Sequence, residues 1–328
     1  MNILYTFDNN FVPQVAAGMC SICENNKDIE ELNFFVFSLK ITDENKKKLD
    51  EFLNNKYGRN ITFIELDDLK KYFDFSFDTS GWNPIVLARL LLDRLLPKNV
   101  EKILYLDGDT IVRGSLKELW NSNLHENILG ACVEPTFSKE RRKALKHGNN
   151  PYFNAGVLLV DLNRWRKEKI GEQIISYYKK FNGKLFANDQ DAINGTLVNK
   201  IENLSIRYNY ANTFYIYPYR AIKKMMYPNY FIDKEDFENS NKFPVIIHYL
   251  GEERPWRLGN THKFRDDYEK YLNLTPWKNM GFEDGWQLYF LCWKIFNFVI
   301  KPFPILRYRI INGLIPLFMN YRSKKLKK

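Results

Sequence analysis

The stretch Ile103-Leu104-Tyr105-Leu106-Asp107-Gly108-Asp109 decides the fold of this chain. It is a fully apolar run, typical of a buried strand, and it ends in two carboxylates that flank a glycine. Residues two apart on an extended chain point to the same side, and Gly108 lets the backbone come close to a ligand. Two carboxylates this close repel each other, and a divalent cation relieves that repulsion. The segment therefore predicts a site for Mn²⁺ or Mg²⁺ at Asp107 and Asp109.

Two other interpretations of this segment stay open. An Asp-Gly turn that merely ends a strand occurs in proteins of any kind. Haloacid-dehalogenase-like phosphatases also place a nucleophilic aspartate after an apolar strand, in the pattern Asp-x-Asp-x-Thr. Here Thr110 follows Asp109 directly, one residue early, and the segment lies a third of the way into the chain, which disfavours a phosphatase.

Short apolar runs alternate with helical patterns along the chain, which predicts an α/β fold. The predicted strands are 2–7, 33–39, 61–66, 102–106, 128–133, 156–161 and 245–247, and the predicted helices are 12–25, 42–55, 84–96, 170–182 and 192–198. This order implies a mainly parallel sheet covered by helices on both faces. Such a sheet binds ligands outside the carboxyl ends of its strands, so the polar residues directly after strands are the informative ones.

Polar residues follow several predicted strands at this edge. Asp8-Asn9-Asn10 follows the first strand, Glu134 follows the strand after the carboxylate pair, and His248 ends the last strand. His248 is a candidate metal ligand, because its strand would bring it to the same edge of the sheet. The loop after it contains Gly251 and Arg254, a close-approach glycine and a cation that suit a diphosphate.

Three further motifs have a structural interpretation beside the functional one. The small, amide-bearing turn at 153–156 would suit sugar hydroxyls, or it simply begins a strand. The polar segment 188–191 opens a predicted helix, where polar residues are most often caps. Cys20 and Cys23 have redox or zinc spacing, but without a second ligand pair we expect buried thiols in a helix.

The charge distribution separates the chain into a nearly neutral part and a basic tail. The net charge is +10, and nine basic residues with no acidic one lie between Trp286 and Lys328, so nine of the ten excess charges belong to the tail. A nucleic-acid binder carries basic and aromatic residues together on the domain itself, so we expect no nucleic-acid partner. The mean hydropathy of −0.44 argues against an integral membrane protein.

The tail itself has an amphipathic pattern. Gln287, Lys294 and Lys301 recur every seven residues with Asn297 on the same side, which predicts a helix with a narrow basic face at 286–301. A second apolar stretch leads into the basic C terminus. No run reaches 18 uncharged residues, so no bilayer-spanning segment is predicted. We expect the tail to bind an anionic membrane surface; the alternative is a terminal helix packed on the domain with a solvated basic end.

The motifs together resemble glycosyltransferase family 8, and in particular its bacterial lipooligosaccharide α-galactosyltransferases and α-glucosyltransferases. The resemblance runs from about residue 1 to 265, and its motifs are Asp8-Asn9-Asn10, Ala88-Arg89-Leu90, Leu104-Tyr105-Leu106-Asp107-Gly108-Asp109, Phe153-Asn154-Ala155-Gly156-Val157, Asp189-Gln190-Asp191 and His248-Tyr249-x-Gly251 with Pro255-Trp256. Single motifs of this kind are weak, whereas six in order are specific. The resemblance implies a Rossmann-like GT-A fold, Mn²⁺, a UDP-hexose donor and retention of the anomeric configuration.

The resemblance also implies roles for individual residues. Asp107, Asp109 and His248 would bind the metal. The donor would be held by Thr6, Asp8 and Asn10 at the uridine, Arg89 at the ribose and phosphate, Asn154, Ala155, Asp189 and Gln190 at the sugar, Gly251 and Arg254 at the diphosphate, and Asp107 and Gly108 beside the metal. Asp189 and Gln190 are the candidate catalytic groups. Because Gln190 is a poor nucleophile, we favour attack on the same face of the sugar that the UDP leaves.

The sequence departs from the family in three places. Arg254 stands where members typically carry lysine, and Glu134 stands where a sugar-contacting aspartate is expected, which leaves open whether the hexose is galactose or glucose. The loop 80–84 lacks the usual histidine-containing acceptor pattern, which leaves the identity of the acceptor open as well.

These observations predict a catalytic domain at 1–265, a connector at 266–285 and a membrane-associating tail at 286–328. We expect a retaining, metal-dependent glycosyltransferase that forms an α-linkage to a surface glycan or glycolipid. Met1 is followed at once by a strand-like run without a signal-peptide pattern, which predicts a cytoplasmic protein at the inner face of the membrane. Two alternatives are a basic, non-catalytic protein that binds membranes or nucleic acid, and a nucleotidyltransferase, which shares the need for a metal.

Overall fold

The computed structural model describes residues 1–226 and 231–326, with side chains described up to residue 318. The strands are β1 (Asn2–Asp8), β2 (Asn33–Leu39), β3 (Asn60–Glu65), β4 (Lys102–Leu106), β5 (Thr110–Val112), β6 (Leu129–Val133), β7 (Phe153–Asp161), β8 (Ile201–Asn203), β9 (Tyr210–Ala211) and β10 (Ile246–His248). The first helices are α1 (Val12–Asn25), α2 (Asp43–Tyr57), α3 (Leu92–Leu95), α4 (Lys117–Trp120), α5 (Lys139–Ala144), α6 (Leu162–Lys167) and α7 (Ile170–Lys180). They are followed by α8 (Asn188–Thr196), α9 (Asn212–Ile216), α10 (Tyr219–Met225), α11 (Lys234–Lys242), α12 (Arg265–Leu272), α13 (Gln287–Ile300) and α14 (Pro304–Leu326). Short 3-10 helices lie at Asn9–Phe11, Leu69–Tyr72, Pro84–Leu91 and Ile206–Tyr208.

The main sheet has seven strands in the order β3-β2-β1-β4-β7-β6-β8. Six strands run in one direction, and β7 is antiparallel to both of its neighbours. The predicted mainly parallel α/β sheet is therefore confirmed. The strand predicted at 156–161 is longer than expected, since it begins at Phe153, and its direction is the reverse of the other strands.

The helices differ in how deeply they pack on this sheet, and the sequence explains the difference. Helix α1 is apolar nearly all round, and it is buried from Val12 to Cys23. The thiols of Cys20 and Cys23 are free and buried in it, and burial raises the pKa of Cys23 to about 12, so neither thiol is set up for redox chemistry. Helix α2 instead buries only one face of an otherwise charged sequence, and it ends at Gly58 with a φ of 62°.

A second sheet of three strands, in the order β5-β10-β9, stands beside the main one. Strand β10 is antiparallel to β5, and His248 lies opposite Thr110. The sequence predicts that the strand of His248 joins the main sheet, but this strand belongs to the second sheet. The pairing with β5 carries His248 to the carboxylates instead, since Thr110 directly follows Asp109.

The segment 84–96 was expected to form one α-helix. It forms a 3-10 helix, Pro84–Leu91, followed by the single turn of α3. Pro84 occupies the first position and Asn83 accepts a hydrogen bond from the backbone N of Ile85 at 3.1 Å, so the start is capped as its sequence suggests. Its tighter turns place Arg89 on the buried side.

The C-terminal helices α13 and α14 lie against one another and against α10. Phe290 and Ile300 are buried, and Arg307 is buried as well, with hydrogen bonds to the hydroxyl of Tyr217 at 2.6 Å and to Oδ1 of Asn297 at 2.9 Å. The predicted C-terminal helix is thus present, and Gln287, Lys294 and Lys301 are exposed on it as expected, whereas Asn297 faces α14. No helix in the part of the chain described is both long and apolar enough to cross a membrane.

Candidate active site

The pairing of β4 with β7 builds the edge on which the candidate residues meet. Leu106 lies opposite Val157, and the backbone N of Asp107 donates to the carbonyl of Gly156 at 2.8 Å. Because the two strands are antiparallel, the carboxyl end of β4 meets the amino end of β7. Asn154 and Ala155 therefore lie within β7 beside Asp107, and not in a turn before the strand as the sequence analysis expected.

Three candidate metal ligands converge at this edge. One ligand atom from each of Asp107, Asp109 and His248 lies within 4.8 Å of the others. Nε2 of His248 is 3.2 Å from Oδ1 of Asp109 and 3.7 Å from Oδ2 of Asp107. Two carboxylates with one imidazole suit a divalent ion such as Mn²⁺, which accepts both oxygen and nitrogen ligands. We call these three residues the metal cluster.

The carboxylate of Asp107 is oriented by two neighbours. Its Oδ1 accepts hydrogen bonds from Nη2 of Arg89 and from the hydroxyl of Tyr105, both at 2.7 Å. Its Oδ2 is therefore the oxygen that faces His248. Thr6, which the resemblance places at the uridine, is buried behind Tyr105, with its hydroxyl 3.0 Å from the Tyr105 hydroxyl.

The imidazole of His248 is oriented by Asn209, a residue that no motif in the sequence indicates. Nδ1 of His248 lies 2.8 Å from Oδ1 of Asn209, and Nδ2 of Asn209 donates to Oδ1 of Asn154 at 2.9 Å. Since the Asn209 amide group uses its nitrogen on Asn154, its oxygen accepts the proton on Nδ1 and leaves Nε2 free to ligate. The one signal in the sequence was a polar residue directly before β9, which pairs with β10.

Glycine is required at position 156. A Cβ there would lie 2.2 Å from Cε1 of His248 and 2.9 Å from Oδ2 of Asp107, distances that atoms in van der Waals contact cannot reach. Gly108 has a packing role that the sequence did not predict. A Cβ on Gly108 would meet side-chain carbons of Phe11 and Val15 at 3.0 Å, so this glycine makes room for the packing of the first helical segment.

Arg89 connects the metal cluster to the candidate catalytic residues. It is only 5% exposed, its Nη1 donates to the carbonyl of Ala155 at 2.6 Å, and its Nε lies 3.0 Å from Oδ2 of Asp189. Burial alone would lower the pKa of Arg89, but Asp107 and Asp189 raise it, so the guanidinium stays charged. Burial raises the pKa of Asp189 to about 6 although Arg89 opposes that shift.

Gln190 is held by hydrogen bonds at both ends of its amide group. Its Oε1 accepts from the backbone N of Ala155 at 2.9 Å, and its Nε2 donates to the hydroxyl of Tyr152 at 3.1 Å. The polar segment 188–191 does not cap α8 through a side chain at its N-cap position. Asp191 does accept a hydrogen bond from the backbone N of Ala187 at 2.8 Å at the start of the helix, whereas Asp189 faces Arg89 and Gln190 faces β7.

A second cation stands on the other side of the metal cluster. Nη2 of Arg254 is 3.6 Å from Oδ2 of Asp109, and its guanidinium lies 5.4 Å from the ring centres of both Phe11 and Trp256. Burial alone would raise the pKa of Asp109, but His248 and Arg254 lower it below its ordinary value. Burial alone would lower the pKa of His248, whereas Asp109 raises it overall. The carboxylate charge of Asp109 is therefore stabilised by the imidazole of His248 and the guanidinium of Arg254.

The remaining candidates lie around this centre. Oε2 of Glu134 accepts from Nδ2 of Asn154 at 3.2 Å. Gly251 has a φ of +77° and open space beside it, as a close-approach glycine requires. Asp8 accepts from the backbone N of Asn10 at 3.0 Å, and within the described residues no hydrogen bond links these two to the metal cluster.

Comparison with known proteins agrees with this geometry. The sequence model of glycosyl transferase family 8 matches residues 2–258. The chain belongs to glycosyltransferase family 8. It is therefore a glycosyltransferase, with the candidate residues lying in the matched part of the sequence.

Relatives and solved structures extend the comparison. General stress protein A of Bacillus subtilis is 26% identical over 285 residues, which is 86% of this chain and 96% of that protein. Lipopolysaccharide 1,2-glucosyltransferase of Escherichia coli is 26% identical over 285 residues, 85% of this chain and 79% of that protein. The galactosyltransferase LgtC, solved with donor and acceptor sugar analogues, superposes with a TM-score of 0.70 at 24% identity, covering 88% of this chain and 99% of that one. This last likeness shows the fold.

Proposed function

We propose that the protein is a retaining, Mn²⁺-dependent glycosyltransferase that moves galactose or glucose from a UDP-sugar to a surface glycan or glycolipid, forming an α-linkage. The observation that carries the proposal is the metal cluster, which lies between two arginines at the carboxyl end of β4. The name of the Escherichia coli relative, a lipopolysaccharide glucosyltransferase, supports a hexose donor and a glycolipid acceptor.

The metal cluster and Arg254 would together stabilise a departing nucleoside diphosphate. Asp107, Asp109 and His248 would hold the cation, which supplies charge stabilisation to the diphosphate when it is bound. Arg254 adds a fixed positive charge beside Asp109, and its position between two aromatic rings limits its movement. Thr6, Asp8 and Asn10 would contact the uridine.

The donor sugar would lie over the amino end of β7. Asn154, Ala155 and Glu134 border that position, and Arg89 ties it to Asp107 through hydrogen bonds. Gln190 reaches the same place from α8. The carboxylate of Glu134 is the residue that would distinguish the hydroxyl groups of one hexose from those of another.

The hydrogen bonding favours attack on the face from which UDP leaves. Both ends of the Gln190 amide are bonded to protein groups, and the Asp189 carboxylate is buried and paired with Arg89. Neither is presented as a free nucleophile on the far face of the sugar. The acceptor hydroxyl would then attack an oxocarbenium-like centre and pass its proton to the departing phosphate.

The tail supplies a surface for an anionic membrane, at the inner face of the cell envelope. Helix α13 exposes a stripe of apolar side chains, and Phe298 in this stripe is 80% exposed. The outward residues of the stripe are Leu288, Leu291, Ile295, Phe298 and Val299. Lys294 in the middle of α13 and Lys301 directly after it are exposed, whereas Arg307 is buried and is unavailable to lipid. Membrane binding would thus rest on apolar insertion as well as on charge.

Replacing one metal ligand tests the proposal. Asp109→Asn should lower UDP release from the donor by at least about a hundredfold, because the substitution removes one of two carboxylates that hold the cation. Asp266→Asn, which changes an exposed carboxylate in α12, is the matched control and should keep activity. Activity should also disappear in EDTA and return with Mn²⁺. Full activity in EDTA would contradict the proposal, and release of pyrophosphate instead of UDP would identify a nucleotidyltransferase.

A further inference from the structure

A groove of about 1140 Å³ lies beside the candidate active site, and the proposed donor chemistry makes no use of it. It is bounded by α5, α10 and α14, and seven lysines and arginines line it against one acid, Glu140. Residues 1–285, which supply six of these seven cations, have a net charge of only +1 as a whole, so the positive charge is concentrated at the groove. Such a concentration of one sign of charge in a concave surface attracts an anion.

The cations of the groove lie on three separate helices, and they come together only in the folded chain. Lys139 lies on α5, Lys224 on α10 and Arg309 on α14, and all three are exposed. None of these three forms an ion pair with a residue in the described ranges. Like charges that face one groove repel each other, and a phosphate between them relieves the repulsion while accepting several hydrogen bonds.

The groove adjoins the residues around the donor sugar. Nη2 of Arg141, which lines the groove, donates to the hydroxyl of Tyr152 at 2.8 Å, and Gln190 donates to the same hydroxyl. On the other side, Thr136 lines the groove, and its backbone N donates to Oε1 of Glu134 at 3.1 Å. A molecule held in the groove therefore lies one side chain away from the sugar position.

Helix α14 separates the groove from an apolar surface. Arg309 and Tyr308 line the groove, whereas Leu306, Leu314 and Leu317 of the same helix are exposed to solvent. The apolar stripe of α13, a helix that packs on α14, adds further exposed hydrophobic side chains to this region beside the cationic groove. That combination fits an amphiphile whose anionic group is bound while its hydrocarbon stays in the membrane.

We propose that this groove binds the phosphate or diphosphate group of a lipid-linked acceptor and so presents the acceptor glycan to the donor site. The inference rests on the proposed glycosyl transfer, which requires an acceptor next to the donor sugar. Charge decides the ligand class, because arginine and lysine pair with phosphate oxygens more strongly than with sugar hydroxyls.

Vesicle flotation with the full-length protein tests this inference. The probes are phosphatidylcholine vesicles that contain either a polyprenyl diphosphate or phosphatidylglycerol at equal total charge. The protein should bind the diphosphate vesicles more tightly, and Lys139→Gln with Lys224→Gln should reduce that preference by about tenfold or more. The matched control, Lys98→Gln with Lys167→Gln, removes two exposed lysines at the opposite edge of the sheet and should leave the preference unchanged.

Two results would overturn the inference. Equal binding to both kinds of vesicle would mean that the protein responds to anionic membranes in general, and equal behaviour of the groove and control variants would place phosphate recognition elsewhere. Donor hydrolysis with Mn²⁺ is measured in the same preparations. Loss of hydrolysis in the unmodified protein contradicts the proposed function, whereas intact hydrolysis with an unchanged vesicle preference contradicts only the groove.

Discussion

At Gly156 there is no space for a side chain beside the metal cluster. Because a Cβ at this position would overlap His248 and press on Asp107, Gly156→Ala should move at least one ligand and lower Mn²⁺ affinity by at least about tenfold. Titration of Mn²⁺ by electron paramagnetic resonance measures the affinity, and thermal unfolding checks the fold. At Gly114 a Cβ would have contacts no closer than 3.8 Å, so Gly114→Ala is the control. Unchanged Mn²⁺ affinity in Gly156→Ala would show that the cation binds elsewhere.

Asn209 is expected to act on the metal through His248. Asn209→Leu removes the acceptor for Nδ1, so the imidazole loses its fixed orientation and Mn²⁺ affinity should fall about 10- to 100-fold. Asn209→Asp keeps an acceptor at the same place and should retain more of the affinity than the leucine variant does. Isothermal titration with Mn²⁺ measures both. Equal losses in the two variants would indicate a general packing defect instead of a role in orienting His248.

The sequence allowed the metal ligands to be predicted, but not the residues that orient them. Asp107 and Asp109 directly follow an apolar strand, and a carboxylate pair at a strand end has a chemical meaning by itself. Asn209 and Gly156 acquire their roles only from long-range contacts, since each approaches His248 from a distant part of the chain. No local pattern encodes such a contact.

At the scale of the elements, the apolar runs identified where strands lie but not how they pair. Most of strand β7 is the apolar run 155–160, and such a run has the same pattern in either direction. Its antiparallel pairing with β4 was therefore not predictable, although this pairing brings Asn154 and Ala155 next to Asp107. Likewise, the sequence predicts strand β10, but it does not predict that this strand belongs to a second sheet.

The tail shows how packing changes an amphipathic pattern. Polar residues at a spacing of seven suggest an outward face that includes Asn297. In the structure, however, Nε of Arg307 donates a hydrogen bond to Oδ1 of Asn297 between α14 and α13. Cutting the chain before Trp286 would also remove the ring that lies 3.6 Å from the Arg257 guanidinium. Substitutions on the exposed side of α13 are therefore a cleaner probe of membrane binding than a truncation.

The exposed stripe of α13 gives a prediction for this element. Replacing Leu291, Ile295 and Phe298 by glutamine should lower binding to anionic liposomes by at least about a hundredfold, because burial of each side chain contributes about 1.5–3 kcal/mol. Thermal stability should not change, since all three are exposed. Salt should weaken binding of the unmodified protein without abolishing it, because the apolar contribution is not screened.

The matched control replaces three exposed apolar residues outside the tail. Phe243→Gln, Leu258→Gln and Leu274→Gln remove a comparable set of side chains from the domain surface and should leave liposome binding unchanged. If the control variant loses binding while the tail variant keeps it, the membrane surface lies on the domain and not on α13.

At the scale of the whole molecule, the main sheet, the second sheet and α8 all contribute groups to a single site. The metal cluster takes its carboxylates from the end of β4 and its imidazole from β10, and Gln190 comes from α8. This convergence is consistent with the family assignment. The family could be predicted from the sequence, because six of its motifs occur in order.

The central claim is metal-dependent transfer from a UDP-hexose with retention, and time-resolved proton NMR of donor hydrolysis tests it most directly. The full-length protein is incubated with UDP-galactose or UDP-glucose, with Mn²⁺ and with EDTA. We predict that one donor is consumed only with Mn²⁺, that UDP appears, and that the hexose formed first is the α anomer. A β anomer formed first, or consumption at the same rate in EDTA, would contradict the account.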